Sequence, residues 1–219
     1  MPNPLELVQQ LAVWALPVLL AFTGHAIVMA QLAWRLGDRS PAIRERLSLN
    51  PLRHIDPVGT VLVPGILIVM GGFVIGWPRP VPVNPAAFRQ PRKDLALLSL
   101  GAVASNLAMA IAWAFVLRAA IGQDAEEGIW LGVKYMGLAG VTINVVFAIF
   151  GLLPIPGFAG GHALAALLPP HLAHKWYRAE QWTFLVLILL MVTGVLGALL
   201  QPPFLALQSV VFQIAGVSD

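Results

Sequence analysis

The sequence predicts an all-α integral membrane protein with about five to six transmembrane helices and a proline-rich extended connector. Of its 219 residues, 58% are hydrophobic and 11% are charged, whereas about a quarter of the residues in a typical soluble domain are charged. The ten carboxylates all lie between the apolar runs or at their ends; they are Glu6, Asp38, Glu45, Asp56, Asp94, Asp124, Glu126, Glu127, Glu180 and Asp219. A single polytopic membrane domain is therefore expected over residues 1–219.

The apolar runs define the expected helices, because about 20 consecutive apolar residues are needed to cross a bilayer. Five such runs lie at roughly 8–34, 58–76, 96–118, 129–153 and 181–200. We expect the first run to be kept as a span, since the residues around it lack the basic segment and cleavage site of a signal peptide. A shorter apolar tail, about 203–216, follows Pro202 and Pro203 and is expected to lie in the interface or to pack as a partial span.

The second run leaves the number of spans and the orientation open. Pro64 and the pair Gly71-Gly72 favour a kink or a re-entrant path. The alternating prolines of "WPRPVPVNPAAFRQPRKD", which follows, disfavour helix and favour extended backbone. Basic residues flank the run on both sides, Arg53 before it and Arg79, Arg89, Arg92 and Lys93 after it. The positive-inside rule therefore gives a clear orientation only if this run is re-entrant.

Composition also limits the partners and the metal chemistry. The formal net charge is +3, and no run of lysine and arginine is dense enough for nucleic acid, so the basic loops are expected to face anionic lipid. The chain has no cysteine, which excludes disulfides, iron–sulfur clusters and thiolate zinc sites.

One histidine stands out in the first run, in "FTGHAIVMAQLAWRLGD". His25 has no polar neighbour one helical turn away, although a neutral imidazole carries one donor and one acceptor. Asn106 and Asn144, in the third and fourth runs, are amides that must pair across helices in hydrocarbon. They are the expected hydrogen-bond partners of His25.

Four strings carry a resemblance to a known family. They are "RLGD" (35–38), "LNPLRHIDPVGT" (49–60), "PVPVNPAAFRQPRKDLALLSLGAVASN" (80–106) and "GLLPIPGFAGG" (151–161). In this order they resemble the site-2 protease family of intramembrane zinc metalloproteases, in its compact bacterial branch, nearly without gaps from about residue 15 to 200. The resemblance implies a bacterial inner-membrane location.

The family's chemistry needs a HExxH motif on a membrane helix and an aspartate from a later LDGG motif. The two histidines and the aspartate hold zinc, and the glutamate is the general base. With "RLGD" as the anchor, the first histidine falls on His25, but the glutamate position is Ala26 and the second histidine position is Met29. The aspartate position is Ala159. The resemblance therefore implies a degenerate site in which His25 is a relic ligand.

Positions next to the lost ligands also depart from the family pattern. The family's asparagine before "LLPIP" is Gly151 here, and its proline and leucine before the aspartate are Gly157 and Phe158. These neighbouring changes favour natural drift over an engineered knock-out.

Other candidate residues have structural and functional interpretations. His162 is the best candidate for a relocated metal ligand, three residues beyond Ala159. His54 and Asp56 are expected to fix a loop, and Gly160 and Gly161 to permit close backbone approach. His171 and His174 are expected to face solvent or headgroups, Met29 is expected to be packing, and a dyad of Ser105 with His25 is disfavoured because no nucleophile turn surrounds Ser105.

Three functions stay open. The leading hypothesis is a pseudoprotease that binds no catalytic metal and holds a partner's transmembrane helix in an intramembrane cleft beside the first and fourth runs. The second is an active zinc-dependent metalloprotease with His25, His162 and His54 as rearranged ligands. The third is a transporter component, which interrupted helices would suit but the absence of inverted repeats disfavours.

Overall fold

The computed structural model describes residues 4–62, 79–123 and 127–217, and the regular elements among them are helices. The all-α prediction is confirmed. The α-helices are α1 (Pro4–Leu36), α2 (Pro41–Arg46), α3 (Pro91–Ile121), α4 (Gly128–Leu152), α5 (Ala159–Leu167), α6 (Pro170–Ala179), α7 (Thr183–Val192) and α8 (Val195–Ala215). Within the described ranges, α1, α3, α4 and α8 are long and apolar enough to cross a membrane.

Three of these helices cover the first, third and fourth predicted runs. Pro91 lies in the first turn of α3, where its missing N–H costs nothing, and Gly122 follows the helix. Pro17 lies inside α1 without ending it. Proline is tolerated in membrane helices because neighbouring groups compensate for the lost backbone hydrogen bond.

The second predicted run falls mostly outside the described residues. Only its start belongs to the described part, as a short π-helix, Pro57–Leu62. Its two flanks lie together, because the backbone N–H of Arg79 donates to the carbonyl of His54 at 2.9 Å. Arg46 reinforces this contact by donating to the carbonyls of Arg53 and Pro80. The described residues that flank the run therefore lie at the same end of the bundle. Beyond it, residues 79–84 form no helix, as the prolines predict.

The prediction for the last two apolar segments was wrong. The run at 181–200 is split at Gly194, whose φ of +74° is a left-handed conformation that ends α7. The tail expected after the prolines belongs to α8, which continues through Pro202 and Pro203. The prolines do not end α8 because its apolar side chains pack on α3 and α4.

Small residues bring α3 and α4 into close contact. A Cβ atom on Gly137 would lie 2.8 Å from the Cα of Leu117, and one on Gly140 would lie 2.2 Å from the ring of Trp113. Close approach at small residues is the usual basis of helix packing in membranes. The cluster that α3, α4 and α8 form contains Ala110, Ala114, Val141, Val145, Ile149, Val211 and Ala215.

A buried carboxylate fixes the chain where α1 ends. Asp38 is 1% exposed, and its two oxygens accept the backbone N–H groups of Ser40 at 3.1 Å and Asn84 at 2.7 Å. Gly37 precedes it with φ +123°, and a Cβ there would lie 2.7 Å from the carbonyl oxygen of Ala87. The "GD" pair thus holds the proline-rich connector against the end of α1.

Removing this carboxylate is expected to destabilise the fold. Asp38→Ala leaves two backbone N–H groups without their acceptor, which costs about 1–3 kcal/mol for a buried group. The free energy of unfolding in mixed micelles measures this loss. The matched control is Glu45→Ala at an exposed position, for which a change within about 0.5 kcal/mol is expected. Equal effects of the two variants would contradict the role assigned to Asp38.

Candidate functional site: a polar chain beside an amphipathic cavity

A chain of hydrogen bonds crosses the interfaces between α1, α3 and α4. Nδ1 of His25 lies 2.6 Å from Oδ1 of Asn106, and Nδ2 of Asn106 donates to Oδ1 of Asn144 at 3.2 Å. Nδ2 of Asn144 donates to the carbonyl of Gly140 at 2.9 Å. Since the Asn106 oxygen can only accept, Nδ1 of His25 carries the proton and Nε2 carries the lone pair.

Both amides in this chain are completely buried. An amide without a partner in hydrocarbon costs several kcal/mol, so each member depends on the next. Of the two amides that the sequence predicts as partners of His25, Asn106 bonds to it directly, whereas Asn144 bonds to Asn106 and not to His25. The remaining polar atom of this hydrogen-bond chain is Nε2 of His25, which carries a lone pair.

The positions of the family's other catalytic residues are occupied by apolar side chains. Ala26 is 2% exposed. Ala159 is the first residue of α5 and packs with Val103 of α3 and Ala148 of α4. Met29 lies on the wall of a cavity. The methyl groups at Ala26 and Ala159 can neither bind a metal nor accept a proton.

The three histidines of the rearranged zinc site bond to different parts of the protein. Nε2 of His54 donates to the carbonyl of Ser48 at 2.8 Å, in the loop after α2. Nδ1 of His162 lies 2.8 Å from Oγ of Ser99, while His25 bonds to Asn106. Across residues 4–62, 79–123 and 127–217, no three histidine or acidic side chains form a group that could hold a metal. This donor set does not fit zinc, which needs at least three protein ligands.

A cavity of about 410 Å³ lies beside Met29. Its walls come from α1, the proline-rich connector, α3, α5, α6 and the residue after α6. The fourth run, which was expected to line the cleft, contributes no wall to this cavity. The cavity is lined by the apolar residues Met29, Val81, Val83, Pro85, Pro91 and Leu95 and by the polar residues Arg92, Ser99, His162, Tyr177 and Glu180.

The polar wall of the cavity contains two side chains whose pKa values are shifted by burial. Burial lowers the pKa of His162 and raises the pKa of Tyr177, which Arg92 and Glu180 influence in opposite directions. The two rings lie 6.2 Å apart. The Tyr177 hydroxyl is buried without a hydrogen-bond partner among the described residues.

The glycine pair after the lost aspartate is required by close backbone contacts. A Cβ on Gly160 would lie 2.1 Å from the carbonyl oxygen of Leu152, and one on Gly161 would lie 1.9 Å from that of Ile155. No side chain fits at these distances. The pair therefore lets α5 start directly beneath the turn that follows α4.

The remaining candidates lie in separate places. Asp56 accepts the backbone N–H groups of Val58 and Gly59 at 2.8 Å each and so closes its loop. Ser105 donates to the carbonyl of Ala102 on its own helix, not to His25. His171 and His174 are exposed on α6.

Sequence reasoning missed the pair of Ser99 with His162 and the Tyr177 hydroxyl. Ser99 is one of two hydroxyl residues in the first half of the third run, together with Ser105, and this was the available signal. Its partner, His162, could not be predicted, because no pattern in the sequence shows that α5 packs against α3.

Comparison with known proteins identifies relatives over most of the chain. It is 34% identical over 201 residues to the protein named "Putative zinc metalloprotease YwhC" of Bacillus subtilis, covering 91% of this chain and 87% of that protein. It is 32% identical over 187 residues to "Putative zinc metalloprotease Rip2" of Mycolicibacterium smegmatis, covering 85% and 68%. The Rip2 protein of Mycobacterium tuberculosis H37Rv is 30% identical over 212 residues, covering 96% and 75%. No family model matches the chain, and no solved structure matches it.

The hydrogen bond between His25 and Asn106 predicts energetic coupling between the two residues. His25→Leu and Asn106→Leu each leave a buried partner unpaired, so the double variant should be less destabilised than the sum of the single variants. We expect a coupling of about 0.5–2 kcal/mol, the range for hydrogen bonds between membrane helices. The measurement is the free energy of unfolding in mixed micelles of the unchanged protein, the two single variants and the double variant.

The control cycle pairs His25→Leu with Thr183→Ala, because Thr183 bonds to the carbonyl of Pro156 and shares no partner with His25. These two changes should add within about 0.5 kcal/mol. Additivity of His25→Leu with Asn106→Leu would show that the two side chains do not interact.

Proposed function

Since the chain belongs to the site-2 protease family, we propose that it is a non-catalytic member of that family, a pseudoprotease of the bacterial cytoplasmic membrane. In this proposal it binds a transmembrane helix of a partner protein without cleaving it. The observation that carries the proposal is the donor set around His25. The family's glutamate, second histidine and aspartate are replaced by Ala26, Met29 and Ala159.

Peptide hydrolysis in the family's manner needs groups that these residues do not supply. A zinc-bound water and a general base must form the nucleophile, and the developing oxyanion must be stabilised. Alanine offers no lone pair for either task, and a thioether suits soft metals such as Cu(I) better than zinc. His25 alone keeps a family ligand, and its Nδ1 is committed to Asn106.

The backbone next to the lost aspartate also supports the proposal. Gly157 has φ +86°, whereas the proline that the family resemblance implies at this position is restricted to φ near −65°. A Cβ on Gly151 would lie 2.7 Å from a methyl carbon of Val103, so the asparagine implied there would not fit without a shift of Val103. The loop that would present the aspartate has thus adapted to glycine. Restoring the ligands alone would not restore the family's geometry.

The binding half of the proposal rests on the cavity beside Met29. Its apolar wall, which includes Val81, Val83 and Leu95, can accept side chains from an adjacent helix. Its polar wall includes Arg92, Ser99 and Tyr177, whose side chains carry hydrogen-bonding groups. These are properties of a site that recognises a partner by shape and by a few polar contacts.

A second candidate function is an active zinc-dependent metalloprotease with rearranged ligands. The names of the relatives favour it, since YwhC and Rip2 are both named for zinc metalloproteases. It requires the nitrogens of His25, His54 and His162 at about 2.0–2.1 Å from one point. Their separate partners, Asn106, the Ser48 carbonyl and Ser99, disfavour this arrangement.

Metal content and cleavage distinguish the two functions. Protein purified in detergent and incubated with zinc is expected to retain well below one zinc per chain after dialysis, and to leave transmembrane peptides intact. Elemental analysis and mass spectrometry of the peptides provide the measurements. One tightly held zinc per chain that is lost in His25→Ala and in His162→Ala, together with cleavage, would establish the active protease instead.

Helix binding is tested in the same preparation with a model transmembrane peptide of leucine and alanine that carries a fluorescent label. Leu95→Trp fills the cavity and should weaken energy transfer from the labelled protein to the peptide. Leu97→Trp adds the same side chain to the exposed face of α3 and should leave the transfer unchanged. Equal transfer in both variants would exclude the cavity as the binding site.

A further inference from the structure

The basic side chains of this protein are concentrated at one end of the bundle. All thirteen lysines and arginines lie in the described residues. Two of them, Arg118 and Lys134, lie towards the end where α3 finishes and α4 begins. The other eleven lie where α1 ends, where α3 begins, and on α6. We call this the basic end; its residues are Arg35, Arg39, Arg44, Arg46, Arg53, Arg79, Arg89, Arg92, Lys93, Lys175 and Arg178.

Hydrogen bonds hold the segments of the basic end together. Asp38, after α1, accepts the backbone N–H of Asn84 in the connector. The backbone N–H of Arg79 donates to the carbonyl of His54 across the two flanks of the second apolar run. A guanidinium nitrogen of Arg92 donates to the carbonyl of Leu168 at 2.7 Å, which ties the start of α3 to the start of α6. These segments are distant in sequence, so only the fold assembles their charges.

The helix α6 presents a basic stripe. His171, His174, Lys175 and Arg178 follow the spacing i, i+3, i+4, i+7, which places them on one face of a helix, and all four are exposed. Ala173 on the opposite face is buried. Leu172 and Trp182 are exposed beside the stripe. A basic face bordered by exposed apolar side chains is typical of a helix that lies in the headgroup region of a bilayer.

The protein does not balance this charge itself. Eleven lysines and arginines share the basic end with five carboxylates, Asp38, Glu45, Asp56, Asp94 and Glu180. Asp38 is buried and accepts two backbone N–H groups, so it does not pair with an exposed cation. Burial lowers the pKa of Arg46, and the neighbouring charge of Arg79 lowers it further while Glu45 raises it; by number of side chains, this end carries an excess of positive charge. Anions from outside the protein would relieve it.

We propose that the basic end is the surface that contacts the anionic phospholipid headgroups of the cytoplasmic leaflet, and that α1 begins on the opposite side of the membrane. Lysine and arginine are enriched on the cytoplasmic side of membrane proteins, and that leaflet carries anionic lipid. The ambiguity in the sequence disappears because both flanks of the second apolar run lie at the same end. The inference uses the membrane location proposed above but not the absence of catalysis.

The orientation also determines the side from which the cavity is reached. Pro85, Arg92, Tyr177 and Glu180 line the cavity and belong to segments of the basic end. A ligand of the cavity is therefore expected to enter from the cytoplasmic leaflet or the cytoplasm.

Single cysteines test the orientation directly, because the chain has no cysteine of its own. Ala42→Cys and Ala86→Cys place exposed thiols at the basic end, before and after the second apolar run, and Gln123→Cys places one at the other end. With a membrane-impermeant maleimide, we expect only Gln123→Cys to react in right-side-out vesicles and only the other two in inverted vesicles. The reverse pattern, reaction from both sides, or separation of Ala42→Cys from Ala86→Cys would overturn the proposal.

Lipid binding tests the contact itself. Lys175→Gln and Arg178→Gln should each weaken binding of phosphatidylglycerol about fivefold, because one such charge near an anionic surface contributes about 1 kcal/mol. Titration of the lipid into detergent-solubilised protein, followed by native mass spectrometry, measures the affinity. Lys134→Gln, at the other end, is the control and should change it less than twofold. Unchanged affinity in Lys175→Gln and Arg178→Gln, or an equal loss in Lys134→Gln, would overturn the proposal.

Discussion

The hydrogen-bond chain from His25 through Asn106 to Asn144 is the interaction on which the rest of this structure depends. Two amides and an imidazole lie among apolar helices, where water cannot satisfy them. Each can be buried only if the next is placed correctly, so the chain fixes how α1, α3 and α4 pack against one another. At the position where the family resemblance implies a metal ligand, His25 forms a hydrogen bond to a neighbouring helix.

The proposed loss of a metal site would account for Ala26, Met29 and Ala159 together. A buried carboxylate without a cation costs far more than a buried methyl group. Once the second histidine position is Met29, a glutamate at position 26 or an aspartate at position 159 would be a buried charge without a partner. The alanines at both positions are the residues expected after such a loss. Packing against Val103 and Ala148 then stabilises the position that a ligand would have occupied.

Much of the fold could be predicted from the sequence because membrane helices are specified by hydrophobicity alone. The first, third and fourth runs gave helices close to the expected bounds, and the pairing of His25 with Asn106 followed from the cost of unsatisfied groups. The last two segments could not be divided correctly. Pro202 and Pro203 predict a break, but the packing of α8 on α3 and α4 outweighs the local preference, and the actual break lies at Gly194.

The candidate site was predicted less completely, since it depends on contacts between segments far apart in sequence. The cavity joins Met29 of α1 to Tyr177 of α6, and no spacing in the sequence relates them. The orientation was hidden for the same reason. Basic residues on both sides of the second run look contradictory until the hydrogen bond between Arg79 and His54 brings them to one end.

We infer that His25 is a hydrogen-bonded structural residue and not a metal ligand. Nitrogen-15 NMR of the imidazoles tests it most directly, because the chain has five histidines and His25→Gln assigns the signal. We expect the resonances of a protonated Nδ1 and an unprotonated Nε2, and we expect both resonances to stay unchanged when one equivalent of zinc is added. A shift of the Nε2 resonance to a metal-bound value on addition of zinc would contradict it.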